Sequence, residues 1–231
     1  MTDRPERRPA GEIYADLRRE TISWALALSP ADRERLVPLC PEWTVTQTVA
    51  HVVGIADDVL AGRLEGLGSD GWTAAQVDAR SGRSLEGICE EWEGLGPAID
   101  AFTAADDVFG MRMTADLVTH VHDMAAAVGA SVDRDTDAVR LGLERYGPFF
   151  CERAHQASLP VVRVEASSGQ QWQSAEGTVS AVVRGSDFEL LRAFSGRRSA
   201  AQVMAMDWDG DPDPYLTVVT PYGLPIDDVE E

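Results

Sequence analysis

Apolar residues recur at helical spacing through the first two thirds of the chain, and strand-like alternation takes over near residue 160. Ile13, Leu17, Ile22, Ala25 and Leu26 predict a helix over 13–28. Ser29-Pro30 opens a short helical turn with proline at its first position. Residues 40–43 read as a loop. Thr44, with Gln47 three residues on, forms a capping box for a helix over 44–64. Glycines 66, 68 and 71 mark a loop, and a short helix is expected at 73–80. A longer helix over 84–102 is expected to bend or break between Gly94 and Pro97. The next covers 111–128 and stops at Gly129. The last covers 136–156, with a kink expected at Gly147-Pro148.

After Leu159-Pro160 the residues 161–165 and 177–183 alternate as strands do. Ser186 and Glu189 read as a second capping box, opening a helix that ends at Gly196. Residues 203–208 read as a further strand, and the acidic stretch from Asp209 onward as an irregular tail. The fold class is therefore α+β. An up-down helix bundle with four main helices is expected over 1–159, and a small α/β domain over 160–231.

Composition narrows the function. The net charge is −19 across 231 residues, which disfavours nucleic acid and anionic membranes as partners. No apolar run approaches the ~20 residues of a membrane span. The first twelve residues lack the apolar centre of a signal peptide, so a cytoplasmic location is expected. Cys40, Cys89 and Cys151 are odd in number and widely spaced, which suits reduced thiols rather than a disulfide framework.

The candidate chemistry lies on two predicted helices. Asp116 and His120 stand four apart and share a helical face. His51 lies within the helix that Thr44 opens. Two imidazoles and a carboxylate converging in a bundle would hold a metal with coordination positions left open. Read more plainly, Arg112 and Asp116 form an ion pair on a solvated face, and His51 is a hydrogen-bonded core histidine. The core stripe of this later helix is Met113, Leu117, Val121, Met124 and Val128. His122 points roughly 240° away from Asp116 and cannot share a metal with it.

The segment Cys40-Pro41-Glu42-Trp43-Thr44-Val45, followed by Ala50-His51, resembles a signature of the mycothiol-dependent maleylpyruvate isomerase family, within the wider DinB-like metal-binding bundles. The run containing Asp116, His120 and Asp123 resembles a later helix of the same family. Val183-Arg184-Gly185, Phe194-Ser195-Gly196-Arg197 and Gly210-Asp211-Pro212 are similar to its C-terminal domain. The resemblance implies His51, Asp116 and His120 as metal ligands, with Zn²⁺ as the divalent ion and mycothiol as co-substrate. Arg112 and Asp123 are then the candidate catalytic residues. The implied partners are a low-molecular-weight thiol and a small electrophile, acted on by an isomerase or S-transferase in a monomer or homodimer. The cysteines are expected to be dispensable, with Cys40 in a packing role.

Three departures accompany the resemblance. Asp116 stands where the family usually has glutamate, Val121-His122 where an aromatic is common, and no arginine follows Arg198. These leave two alternatives: a non-catalytic binding protein with a degenerate site, or a non-haem iron enzyme using the two histidines and one carboxylate.

Overall fold

The computed structural model describes residues 7–231, so the first six residues of the polar N-terminal segment lie outside it. The chain divides into two units, one ending at Val132 and the other running from Asp133 to Glu231.

In the first unit, α1 (Ala10–Ala27) is followed by the single turn α2 (Pro30–Arg33), capped by Ser29. Residues 40–43 do not form a loop. They belong to β2 (Cys40–Thr44), which pairs antiparallel with β1 (Leu36–Val37) through a shifted register. Periodicity misses so short a ladder because Leu36 and Val37 carry too little pattern to read as a strand. The Thr44–Gln47 capping box opens α3 (Val45–Ala61) as expected, and Gly62 closes it at φ 71°.

Helix α4 (Asp70–Asp78) is capped by Ser69, and α5 (Leu85–Ala105) by Ser84. The break expected near Pro97 does not occur, and α5 continues through it. Pro97 lies on the exposed side of the helix, where water can satisfy the carbonyl that lost its donor, while Trp92 and Ile99 anchor the buried side. Helix α6 (Asp107–Val128) starts at an Asp106 cap and ends at Gly129 in the left-handed region.

Helices α1, α3, α5 and α6 form the bundle, with α1 packed on α5 and α6, and α3 on α5 and α6. The core joins Tyr14 and Ile22 of α1 with Val49 and Val53 of α3, Ile88 and Trp92 of α5, and Leu117 and Met124 of α6. The predicted α6 stripe is buried or packed against this core throughout. Leu26, expected on the α1 stripe, is exposed instead.

Small residues set the closest crossing. A Cβ on Gly11 would lie 2.8 Å from the backbone of Thr103 and Ala104, so α1 meets the end of α5 almost backbone to backbone. Gly11→Val is expected to lower stability by ~1–3 kcal/mol through overpacking, read as a lower urea midpoint at unchanged slope. An unchanged midpoint would mean that the helices can part at no cost.

The second unit contains α7 (Asp137–Gln156), the strands β3 (Val162–Ala166), β4 (Gln171–Gln173) and β5 (Ala181–Gly185), the helices α8 (Asp187–Phe194) and α9 (Ala200–Met204), and β6 (Asp207–Asp209). The sheet order is β4-β3-β5-β6, with β3 and β5 parallel and both outer pairs antiparallel. Helix α7 runs through Pro148 and packs on α8, β3 and β4. Phe150 stacks on Phe194 at 4.6 Å between ring centroids. The change from helix to strand at residue 160 is thus a boundary of secondary structure, whereas the boundary of packing lies before α7.

Two strand expectations change. Residues 200–204 are helical because Ser199 and Gln202 form a capping box, so only the end of the 203–208 segment contributes to β6. Residues 177–180 stay outside β5. At Ser186 the hydroxyl caps α8, but the Glu189 carboxylate binds Arg198 instead of reaching back. The acidic tail is irregular yet fastened. Gln202 holds Val229 by two hydrogen bonds, and Glu231 pairs with the buried Arg192 and with Arg198. Among the described residues, no helix is long and apolar enough to cross a membrane.

Candidate metal centre

Helices α3 and α6 pack against each other in the first unit and carry the three residues singled out in the sequence. His51 lies two turns into α3, and Asp116 and His120 are one turn apart on α6. Each of the three presents a donor atom within 4.8 Å of the others. The two imidazoles are buried and meet edge to face, their centroids 5.1 Å apart. His120 Nε2 faces Asp116 Oδ1 at 3.8 Å, and the Asp116 side chain is 36% exposed, so the cluster opens toward solvent on its carboxylate side.

The donor set fits a divalent cation. Around a tetrahedral zinc with bonds of about 2.1 Å, neighbouring donors sit roughly 3.4 Å apart. The observed separations are somewhat wider, a difference that side-chain torsions can close. The outer nitrogens are already held. His51 Nδ1 lies 2.8 Å from Gln76 Oε1, and His120 Nδ1 lies 3.4 Å from Asp123 Oδ2. Metal-binding histidines are commonly oriented in this way, one ring nitrogen fixed by a neighbour and the other turned to the ion.

The electrostatics agree. Burial by itself pulls the His120 pKa down, but the Asp116 charge and the contacts with Asp123 and Cys40 outweigh it and raise it to about 10. The two carboxylates that favour a proton on this ring would equally favour a cation beside it.

Cys40, His120 and Asp123 form a second group of possible donors that shares His120. Cys40 Sγ lies 3.9 Å from His120 Nδ1, the same nitrogen that Asp123 addresses. Asp116 faces the other nitrogen, so Cys40 and Asp123 lie on one side of the ring and Asp116 on the opposite side. Strand β2 also brings Trp43 to the site, its ring 4.9 Å from that of His51. The shifted β1–β2 register breaks strict alternation and lets Cys40 and Trp43 both face the histidines.

The remaining candidates are more scattered. Asp123 is fully buried behind His120. Arg112 is exposed, lies 5.9 Å over the Phe109 ring, and forms no ion pair with Asp116 among the described residues. The solvated Arg112–Asp116 pair is therefore not present. His122 is buried but belongs to neither donor group. Arg197, in the second unit, donates to the Ser195 carbonyl at 2.6 Å. Cys89 and Cys151 are buried, and burial pushes their thiols up to about 11 and about 12, which keeps them protonated.

Sequence reasoning missed Gln76 and Asp58. Gln76 is buried on α4 and links His51 to Asp58. Neither residue carries a local signal. A cavity of about 560 Å³ lies beside them, lined by Asp58, Arg63, Trp72, Gln76 and Arg80 but by none of the three clustered donors.

The first unit is thus a helix bundle with a two-histidine, one-carboxylate cluster between two of its helices. Residues 14–109 match the family model of the mycothiol maleylpyruvate isomerase N-terminal domain. The resemblance drawn from the Cys40–His51 segment is borne out by this match. The match includes His51 and ends before Asp116 and His120. No curated protein matches the chain. Among solved structures, the chain is similar to the mycothiol-dependent maleylpyruvate isomerase, with a TM-score of 0.54, 16% identity, and coverage of 82% of this chain and 90% of that one. A histidine-to-alanine mutant of that isomerase gives 0.55 and 14%, over 81% and 89%. At these identities the likeness is one of fold, and it bears out the helical first part followed by an α/β part.

Proposed function

We propose that this protein is a metal-dependent enzyme that uses a low-molecular-weight thiol, mycothiol in the first instance, on a small electrophilic substrate. The observation that carries the reading is the cluster of His51, Asp116 and His120, with both histidines oriented from behind by Gln76 and Asp123. The domain match and the isomerase structures of similar fold support it.

His51, His120 and Asp116 would hold the ion through two imidazoles and one carboxylate. When bound, a divalent ion supplies the Lewis acidity that keeps a thiol ionised at neutral pH. Asp123 holds His120 in register, and Trp43 covers one face of His51. The exposed side of Asp116 is where thiol and substrate enter. Isomerisation follows if the thiol adds, a substrate bond rotates and the thiol departs; conjugation follows if it stays. Neither outcome requires a protein nucleophile, so Cys40 serves as packing against His120. Zn²⁺ is the ion proposed, and the cytoplasm, where thiol cofactors are kept reduced, is the proposed location.

Metal analysis of the purified protein, followed by thiol titration of the cobalt form, tests the reading. One cobalt per chain is expected, with a thiolate charge-transfer band appearing on addition of mycothiol or a simpler thiol. Asp116→Glu restores the longer carboxylate of the family and should hold or strengthen metal binding, whereas Asp116→Ala should weaken it. Equal binding by wild type and both variants would remove Asp116 from the ligand set. Cys40→Ser should keep turnover, and its loss with metal retained would point to a protein nucleophile instead.

The same donors suit a second reading, because two histidines and one carboxylate also bind non-haem Fe(II). Iron in the purified protein, with oxygen-dependent turnover and no thiol response, would favour it.

A further inference from the structure

We propose that Gln76 is a positioning residue that sets the tautomer of His51, and that Asp58 in turn sets the orientation of Gln76. The inference rests on the metal-centre reading for its purpose, but not for its geometry.

The logic runs inward from the surface. Asp58 forms an ion pair with Arg63, accepting a hydrogen bond from its Nε at 2.7 Å. An ionised carboxylate only accepts hydrogen bonds. Gln76 lies 2.8 Å from Asp58 Oδ2, so the amide must turn its NH₂ to that carboxylate; the flipped amide would set oxygen against oxygen. That choice leaves Gln76 Oε1, an acceptor, 2.8 Å from His51 Nδ1. Nδ1 must then carry the hydrogen and donate. A neutral imidazole protonated at Nδ1 has its lone pair on Nε2. The carboxylate at one end of the relay thus dictates which imidazole nitrogen is basic at the other.

The backbone is shaped to admit this relay. His51, Gly54 and Asp58 follow one another along α3 at spacings of three and four and so share a helical face. Gln76 crosses that face at Gly54. A Cβ on Gly54 would stand 2.4 Å from Gln76 Cβ and 2.7 Å from its Cγ. Any larger residue there pushes Gln76 off the histidine. Arg80, one turn further along, donates to the Gln76 carbonyl at 3.2 Å and pairs with Glu91 of α5, which ties the end of α4 down. Gln76 is 3% exposed, so its amide meets little bulk water.

Ring ¹⁵N shifts of His51 in the metal-free wild type test the relay directly. In the neutral ring a protonated Nδ1 and a bare Nε2 are expected. A neutral ring protonated at Nε2 instead overturns the proposal. Cobalt titration tests its purpose. Gln76→Leu keeps the volume and removes the acceptor, and should weaken cobalt binding about 10–100-fold, the range found for outer partners of metal-bound histidines. Gln76→Glu restores an acceptor for Nδ1–H and should recover part of the affinity. Gly54→Ala should behave like Gln76→Leu with the amide still present. Unchanged affinity and an unchanged cobalt spectrum in Gln76→Leu would reject the role of Gln76. A wild type with the expected tautomer that takes up no cobalt would instead reject the metal-centre reading and leave the relay standing.

Discussion

His120→Ala is expected to lose the metal and, with it, thiol-dependent turnover. His120 is the point at which the site converges: Asp116 faces its Nε2 at 3.8 Å, Asp123 its Nδ1 at 3.4 Å, and the His51 ring meets it edge on. Removing the ring takes away one of three proposed ligands and separates Asp116 from His51. The loss of affinity should exceed ~100-fold, the upper end of what an outer-shell partner alone contributes. Metal content after dialysis and cobalt titration would measure it, with far-UV circular dichroism as a check on folding. A folded His120→Ala protein that keeps one tightly held ion would end the assignment. The Cys40–His120–Asp123 group, which shares that ring, would be ended with it.

Trp92→Ala should be the most damaging change away from the site. Trp92 is fully buried on α5, in the core that joins α1, α3 and α6. Truncation of a buried tryptophan costs about 3–5 kcal/mol, from lost burial plus the cavity left behind. That is a large share of the ~5–15 kcal/mol by which domains are stable. A urea midpoint lowered in proportion, monitored by helix content, is the expected result. Because α5 packs on α3, which carries His51, metal affinity should fall as well. A loss below about 1 kcal/mol, the scale of an ordinary surface substitution, would mean that the neighbouring helices close over the gap.

The features legible beforehand share a local cause. The Thr44–Gln47 box and the stop at Gly129 depend on hydrogen bonds spanning a few residues, and such pairs announce themselves in the sequence, whereas the helix expected over 44–64 in fact stops at Gly62. The Asp116–His120 face follows from helical pitch alone. The features that were misread have different causes. Pro97 fails to break α5 because packing of Trp92 and Ile99 holds the buried side, whereas α9 displaces an expected strand through a local capping box, Ser199 with Gln202, that the alternation of residues 203–208 masked. The β1–β2 ladder is too short for periodicity to register.

By itself the sequence determined which residues are candidates for chemistry and which elements bear them: the motif around Cys40 and His51, the spacing of Asp116 and His120, an acidic composition, and a switch from helix to strand near residue 160. Only the tertiary structure decided that α3 and α6 bring those side chains within 4.8 Å and that Gln76 and Asp58 stand behind His51. The physical reason is one of range. A helix repeats every ~3.6 residues and writes its pattern into neighbouring positions, whereas contacts between separate helices are set by side-chain volume and by gaps such as Gly54, which leave no periodic trace along the chain.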